Sequence, residues 1–160
     1  MDLSRLFCPM EDRFVAEAML GKLAKWLRMM GYDVLYRRSY REEDLARLVA
    51  GGRRLLSRRI RAKARYPGAL VLQSDHVAEQ LKELKTLGSL NLDPSRFFTR
   101  CLLCNVPLKE ADPETAKSTL PDYVFHKNPS RIRFCPECGR FFWPGTHRDN
   151  MLKQLEEWGL

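Results

Sequence analysis

At 160 residues, 44% of them hydrophobic and 30% charged, the chain has the composition of a folded protein, with length for one good core, or for a modest core plus a small metal-stapled module. No apolar run approaches the roughly 20 residues of a bilayer-spanning helix, and the opening Met1-Asp2-Leu3-Ser4-Arg5 has neither the basic start nor the apolar stretch of a secretory signal; no membrane partner is expected, and a cytoplasmic location is. The 28 Lys and Arg against 20 Asp and Glu give a formal charge of +8, which favours a polyanion: RNA, DNA or a ribosome.

Phe14, Val15 and Ala16 read as a first strand. Leu20, Leu23, Ala24, Leu27 and Met30 then recur at helical spacing, and Gly31 stands where a left-handed residue would end that helix. Asp33 to Tyr36 is a second strand, and Glu42 to Ala50 a second helix with Leu45, Leu48 and Val49 on one face. Leu55 to Ser57 is a third strand, followed by a basic segment. Ala69 to Leu72 is a fourth, and 75–87 a helix with Val77, Leu81 and Leu84 inward. Strands alternating with helices imply βαβ units and a mostly parallel sheet. Such sheets bind ligands beyond the carboxyl ends of their strands. The junctions there carry Glu17, Ser57 with Arg58 and Arg59, and Ser74 with Asp75.

The rhythm breaks at 88–98, so a linker is expected there, with residues 1–95 forming one domain and 96–160 another. The second ends in a helix from about His147, for which Thr146 is a candidate cap with Asp149 in capping-box position, and Met151, Leu152, Leu155 and Trp158 supply the apolar face.

Cys101-x-x-Cys104 and Cys135-x-x-Cys138 stand 30 residues apart. Two residues between cysteines let one tight turn aim both sulfurs at a single ion. Two such turns complete the tetrahedral shell that zinc prefers, with Zn–S bonds of about 2.3 Å. A closed four-sulfur shell leaves no open position, so the zinc is expected to be structural. Gly139 suits the left-handed backbone such a turn often needs. Arg100, Arg133 and Arg140 flank the pairs and would offset thiolate charge. His147 is a fifth ligand candidate, with a helix-end or RNA-facing role preferred. Cys8 is left over.

Three segments together carry a resemblance. They are 14–33, containing Met19-Leu20-Gly21-Lys22-Leu23 and Gly31-Tyr32-Asp33; Arg100-Cys101-Leu102-Leu103-Cys104-Asn105; and 134–147, which reads Phe-Cys-Pro-Glu-Cys-Gly-Arg-Phe-Phe-Trp-Pro-Gly-Thr-His. The chain resembles the Mut-seven carboxy-terminal ribonuclease family, a PIN-like nuclease domain joined to a zinc ribbon. The resemblance implies an α/β, PIN-like three-layer first domain, then a C-terminal zinc ribbon and terminal helix. It also implies RNA cleavage by Mg²⁺ or Mn²⁺ held on carboxylates, the oxygen ligands that hard cations choose.

Carried over by position, the family's first acid corresponds to Glu17 and its second to Asp44, while Asp75 is a further candidate. The family's Leu-Thr-Arg-Asp at the end of its third strand reads Leu56-Ser57-Arg58-Arg59 here, an acid exchanged for a base. Asp75 and Asp44 also have plain readings, as a helix cap and as a solvated charge at a helix start. Asp33 reads as structural, holding the turn into strand two.

Arg53, Arg54, Arg58, Arg59, Arg61, Lys63 and Arg65 place seven positive charges in 13 residues. They are expected to bind phosphate, Arg through its planar fork; the plainer reading is an exposed helix of solvated charges. Two functions follow. One is a metal-dependent ribonuclease working through Glu17, Asp44 and Asp75, with the ribosome or tRNA among RNA partners. The other is a non-catalytic RNA- or ribosome-binding protein with a degenerate site. A DNA-binding zinc ribbon ranks third.

Overall fold

The computed structural model describes residues 12–160; Cys8 lies outside them. The chain separates into two compact units. One comprises the residues up to Arg28 with Tyr32–Asn91, and the other Met29–Gly31 with Leu92–Leu160.

The first unit is built on four strands: β1 (Phe14–Ala16), β2 (Val34–Tyr36), β3 (Arg54–Ser57) and β4 (Leu70–Val71). They lie in the order β2-β1-β3-β4. All three pairings are parallel, with Ala16 opposite both Tyr36 and Leu56. Between them run α1 (Gly21–Met29), α2 (Glu42–Ala50), α3 (Ala62–Arg65) and, after β4, α4 (Val77–Thr86). The α/β expectation is met, and α2 and β1 begin and end where the periodicity puts them. The basic segment after β3 folds into the short helix α3.

The strand centres are apolar because both faces are covered. Phe14, Val15 and Ala16 have no exposed surface, and Leu55 and Leu56 almost none. On one face Val15 and Leu55 pack with Leu45 and Ala69, joined at the margin by Leu35, Leu48, Val49 and Tyr66. After α1, Gly31 takes φ +91°, as expected of a helix-ending glycine, and the Tyr32 N–H returns to the Leu27 carbonyl at 2.9 Å.

The order of strands fixes where a ligand would sit. From β1 the chain passes to β2 on one side, then to β3 on the other, so the connections diverge between β1 and β3. In parallel sheets such a divergence is where a ligand crevice forms, here at the carboxyl ends of the two central strands.

In the second unit, β5 (Lys109–Glu110), β6 (Arg133–Phe134) and β7 (Phe141–Phe142) form an antiparallel sheet in the order β5-β6-β7. The polar insert between the cysteine pairs forms α5 (Pro113–Thr119) and α6 (Asp122–Lys127). Asp112 caps α5 by accepting the Thr115 N–H at 2.9 Å, and Pro113 occupies the first turn, where no donor is missed. The terminal helix α7 (Thr146–Glu157) buries Met151 and Leu155. Its cap differs from expectation: Gly145 is the capping residue, without a side-chain hydrogen bond, and its carbonyl accepts the Asp149 N–H at 3.1 Å. Thr146 is already inside the helix. Also within this unit, a Cβ on Gly31 would come 2.6 Å from the Arg96 carbonyl oxygen, so only glycine fits there.

No helix among the described residues is long and apolar enough to cross a membrane.

Candidate functional site

Two clusters gather the chemistry, one in each unit. In the second unit, the ligand atoms of Cys101, Cys104, Cys135 and Cys138 all lie within 4.8 Å of one another. The backbone builds the two halves of this cluster in the same way. Cys101 N–H donates to Val106 O at 2.8 Å and accepts Asn105 N–H on its carbonyl at 3.0 Å; Cys135 does the same with Arg140 O and Gly139 N–H, both at 2.9 Å. In each half the second cysteine's N–H points at the first sulfur, at 3.4 Å for Cys104 and 3.5 Å for Cys138. Each turn closes on a left-handed residue, Asn105 at φ 67° and Gly139 at φ 69°. Gly139 is as expected. Asn105 was open to the same inference, since asparagine tolerates that region best among non-glycine residues.

The donor set suits zinc. Four thiolates at about 2.3 Å from one ion stand about 3.8 Å apart, and the Cys101 and Cys138 sulfurs are 3.9 Å apart. None of the four is in a disulfide. Without a cation they cannot all ionise. The hydrogen bond to Cys138, and then burial, pushes the Cys104 thiol up to about 12. Burial raises Cys101, whereas the Arg140 N–H brings Cys138 down to about 7. Arg100 does not face the sulfurs: its Nη1 donates to the Asn105 carbonyl at 2.6 Å, bracing the first turn. His147 is exposed and stands outside the group.

In the first unit the sheet places Glu17 directly after β1 and Ser57 at the end of β3, across the crevice from each other. Glu17 N–H donates to Leu56 O at 3.2 Å, extending the ladder by one residue. The Ser57 hydroxyl donates to Glu17 Oε2 and accepts the Arg59 N–H at 3.0 Å. Arg59 Nη1 stands 3.8 Å from Glu17 Oε1, with the carboxylate side chain 14% exposed and the guanidinium 76%. Arg59 thus places a positive charge beside the Glu17 carboxylate. Ser57 was marked in the sequence only as a junction residue; that it would orient Glu17 follows from register, since Ala16 pairs with Leu56 and the next residue on each strand comes level.

Asp44 lies in the first turn of α2, 3.6 Å from Arg47, and Asp75 is exposed, 3.6 Å from His76. Both come after strands, on the carboxyl side of the sheet. Among the described residues the four cysteines are the only group of three or more potential ligands drawn this close; Glu17, Asp44 and Asp75 are not so gathered.

The basic segment divides at β3. Arg53 holds Asp33 with two bonds, at 2.8 and 2.9 Å, and the Phe14 carbonyl at 3.0 Å, which makes Asp33 structural. Arg54 bonds Ser89 at 2.9 Å and stands 3.5 Å from Asp12. Both sit at the amino end of the sheet, engaged with the protein itself. Arg58, Arg59, Arg61, Lys63 and Arg65 follow the other end, and all but Arg58 are exposed. Arg65 pairs with Glu42 at 2.9 Å. A strand's two ends necessarily lie on opposite edges, so this division was legible once β3 had been recognised.

A scan against protein-family models matches the Mut7-C RNAse domain over residues 12–155, nearly the whole chain. Searches among curated proteins and among solved structures return no significant match.

Proposed function

The chain belongs to the Mut7-C RNAse domain family, and on that premise we propose that it is a metal-dependent ribonuclease of PIN-like type whose acidic site is weakened by Arg59. The observation that carries this reading is Glu17: a mostly buried carboxylate, oriented by Ser57, at the crevice between the two central parallel strands. Family membership makes RNA the substrate class. The first unit is the nuclease part in this reading, and the second a zinc ribbon whose four cysteines hold a structural ion. Four free thiols agree with a reducing, cytoplasmic setting.

Glu17, with Asp44 and Asp75, would hold Mg²⁺ or Mn²⁺; carboxylate oxygens are the right donors, although the three are not drawn together as they stand. Such an ion, when bound, activates water and stabilises charge on a phosphate. Ser57 holds Oε2 of the Glu17 carboxylate, which leaves Oε1 toward Arg59. Arg58 and Arg59, with Arg61, Lys63 and Arg65 further along, attract and orient the RNA backbone. Arg53 and Arg54 are left out of that role because they lie at the opposite, amino end of the sheet.

The second reading, a non-catalytic RNA- or ribosome-binding protein, is favoured by the ion pair between Arg59 and Glu17. A carboxylate already neutralised by the chain has less need of a divalent ion. The two readings separate on cleavage of mixed structured and single-stranded RNA in Mn²⁺, Mg²⁺ or EDTA, beside a Glu17→Gln variant. The ribonuclease reading expects metal-dependent cleavage that the variant loses. Salt-sensitive binding without cleavage in either protein would replace it with the binding reading.

A further inference from the structure

Two residues beside the Glu17 crevice contribute nothing visible to the fold. Met19, three residues past β1, takes φ 73°, a left-handed conformation costly for any residue with a Cβ. Its side chain is 77% exposed. Ile60, three residues past β3, is 78% exposed and sits in the turn among Arg58, Arg59, Arg61 and Lys63. Met19 therefore combines backbone strain with an uncovered apolar side chain, and Ile60 places a β-branched apolar group inside a cationic loop. Glycine at the first position and a polar residue at the second would be the low-cost choices for folding alone.

Their placement is related. β1 and β3 are adjacent and in register, so the two loops leave neighbouring strands on the same carboxyl edge, on either side of the crevice. The charge around Ile60 selects the occupant. Exposed arginines and a lysine attract a phosphate chain, and an apolar group among such charges meets what phosphates carry with them, a base. Methionine and isoleucine are among the apolar side chains that proteins wedge against bases in duplex DNA, and in RNA it is the unpaired bases that are splayed out and offer a free face.

We propose that Met19 and Ile60 flank the crevice as an apolar clamp for an unpaired nucleobase, making this edge selective for single-stranded RNA. The inference rests on the reading of the crevice as an RNA site, not on the metal. The clamp supplies base contact without sequence information, while the arginines supply backbone contact.

The test is equilibrium binding of the full chain in EDTA, so that cleavage plays no part. The probes are a short single-stranded oligoribonucleotide, the same strand with abasic ribose at its central positions, and the matching duplex. Met19→Gly and Ile60→Ser are each expected to bind the base-bearing strand at least about fivefold more weakly, with affinities for the abasic strand and duplex unchanged. Met19→Gly should melt no lower than the parent, because glycine adopts the left-handed backbone freely, and Ile60→Ser is an independent surface change. If the parent binds base-bearing and abasic strands equally, or if neither variant loses affinity, the clamp is overturned while the RNA site stands. If the parent binds none of the three probes at low salt, the RNA reading itself fails and the clamp with it.

Discussion

The cysteine cluster and the Glu17 site treat their acidic groups in opposite ways, one gathering four thiols together and the other keeping a single carboxylate beside a cation of the chain. Four sulfurs converge within 4.8 Å, and the flanking arginine Arg100 is spent on the backbone of the turn. That cluster is a four-sulfur site that could hold a metal ion such as zinc. Glu17 instead receives a hydroxyl from Ser57 and a guanidinium from Arg59. Asp33 is matched in the same way by Arg53 at the amino edge. Both of these carboxylates are thus paired with arginines of the chain itself, and a divalent ion at Glu17 would compete with Arg59.

The largest expected effect is on the second unit. Binding energy at a structural zinc site doubles as folding energy, on the order of 10 kcal/mol. Cys135→Ser, or stripping with a strong chelator, should release the metal and abolish hydrogen-exchange protection across Leu108–Phe142 while β1 and β3 keep theirs. Zinc content well below half an equivalent in the parent, together with protection that survives chelation, would break the comparison on this side. Breaking the Asp33–Arg53 pair comes next. Both side chains are largely enclosed, so Arg53→Ala should cost about 2–3 kcal/mol in denaturant titration, with zinc content unchanged. Within the two cysteine turns the left-handed positions should respond unequally. Gly139→Ala is expected to cost about 1 kcal/mol, whereas Asn105→Gly should stay within about 0.5 kcal/mol. The smallest effect concerns the cations that follow β3. Arg58→Ala with Arg59→Ala should lower the slope of log affinity for single-stranded RNA against log salt by about 1.4, two phosphate contacts' worth. Arg53→Ala should leave that slope alone.

Much of this was legible in the chain itself. The limits of β1 and α2, the parallel sheet and the convergence of two Cys-x-x-Cys pairs all follow from periodicity and spacing, because both covered faces of the sheet and both cysteine turns demand local patterns. What escaped were features set by partners distant in sequence. Nothing local in Arg53 says that it would grip Asp33. The cap of α7 fell to Gly145 because extended backbone before Thr146 already fits the helix start. Asp44 and Asp75 could be placed on the carboxyl side of the sheet by strand order, but whether acids meet depends on loop paths that spacing does not encode. The pairing of Arg59 with Glu17 lay between these extremes: both positions stood out, and only the register of β1 on β3 brings them across from each other.

The most direct test is Mn²⁺ binding to the first-unit site, followed by electron paramagnetic resonance on the zinc-loaded chain, for the parent and for Arg59→Asp. If Arg59 is the built-in counter-charge of Glu17, replacing it with a carboxylate should tighten Mn²⁺ by about tenfold or more, a conservative reading of the change in Coulomb energy at a partly exposed pair, and Glu17→Gln in that background should remove the gain. Equal Mn²⁺ affinity in the parent and in Arg59→Asp would contradict the account, because Arg59 would then not be what stands between Glu17 and a divalent ion.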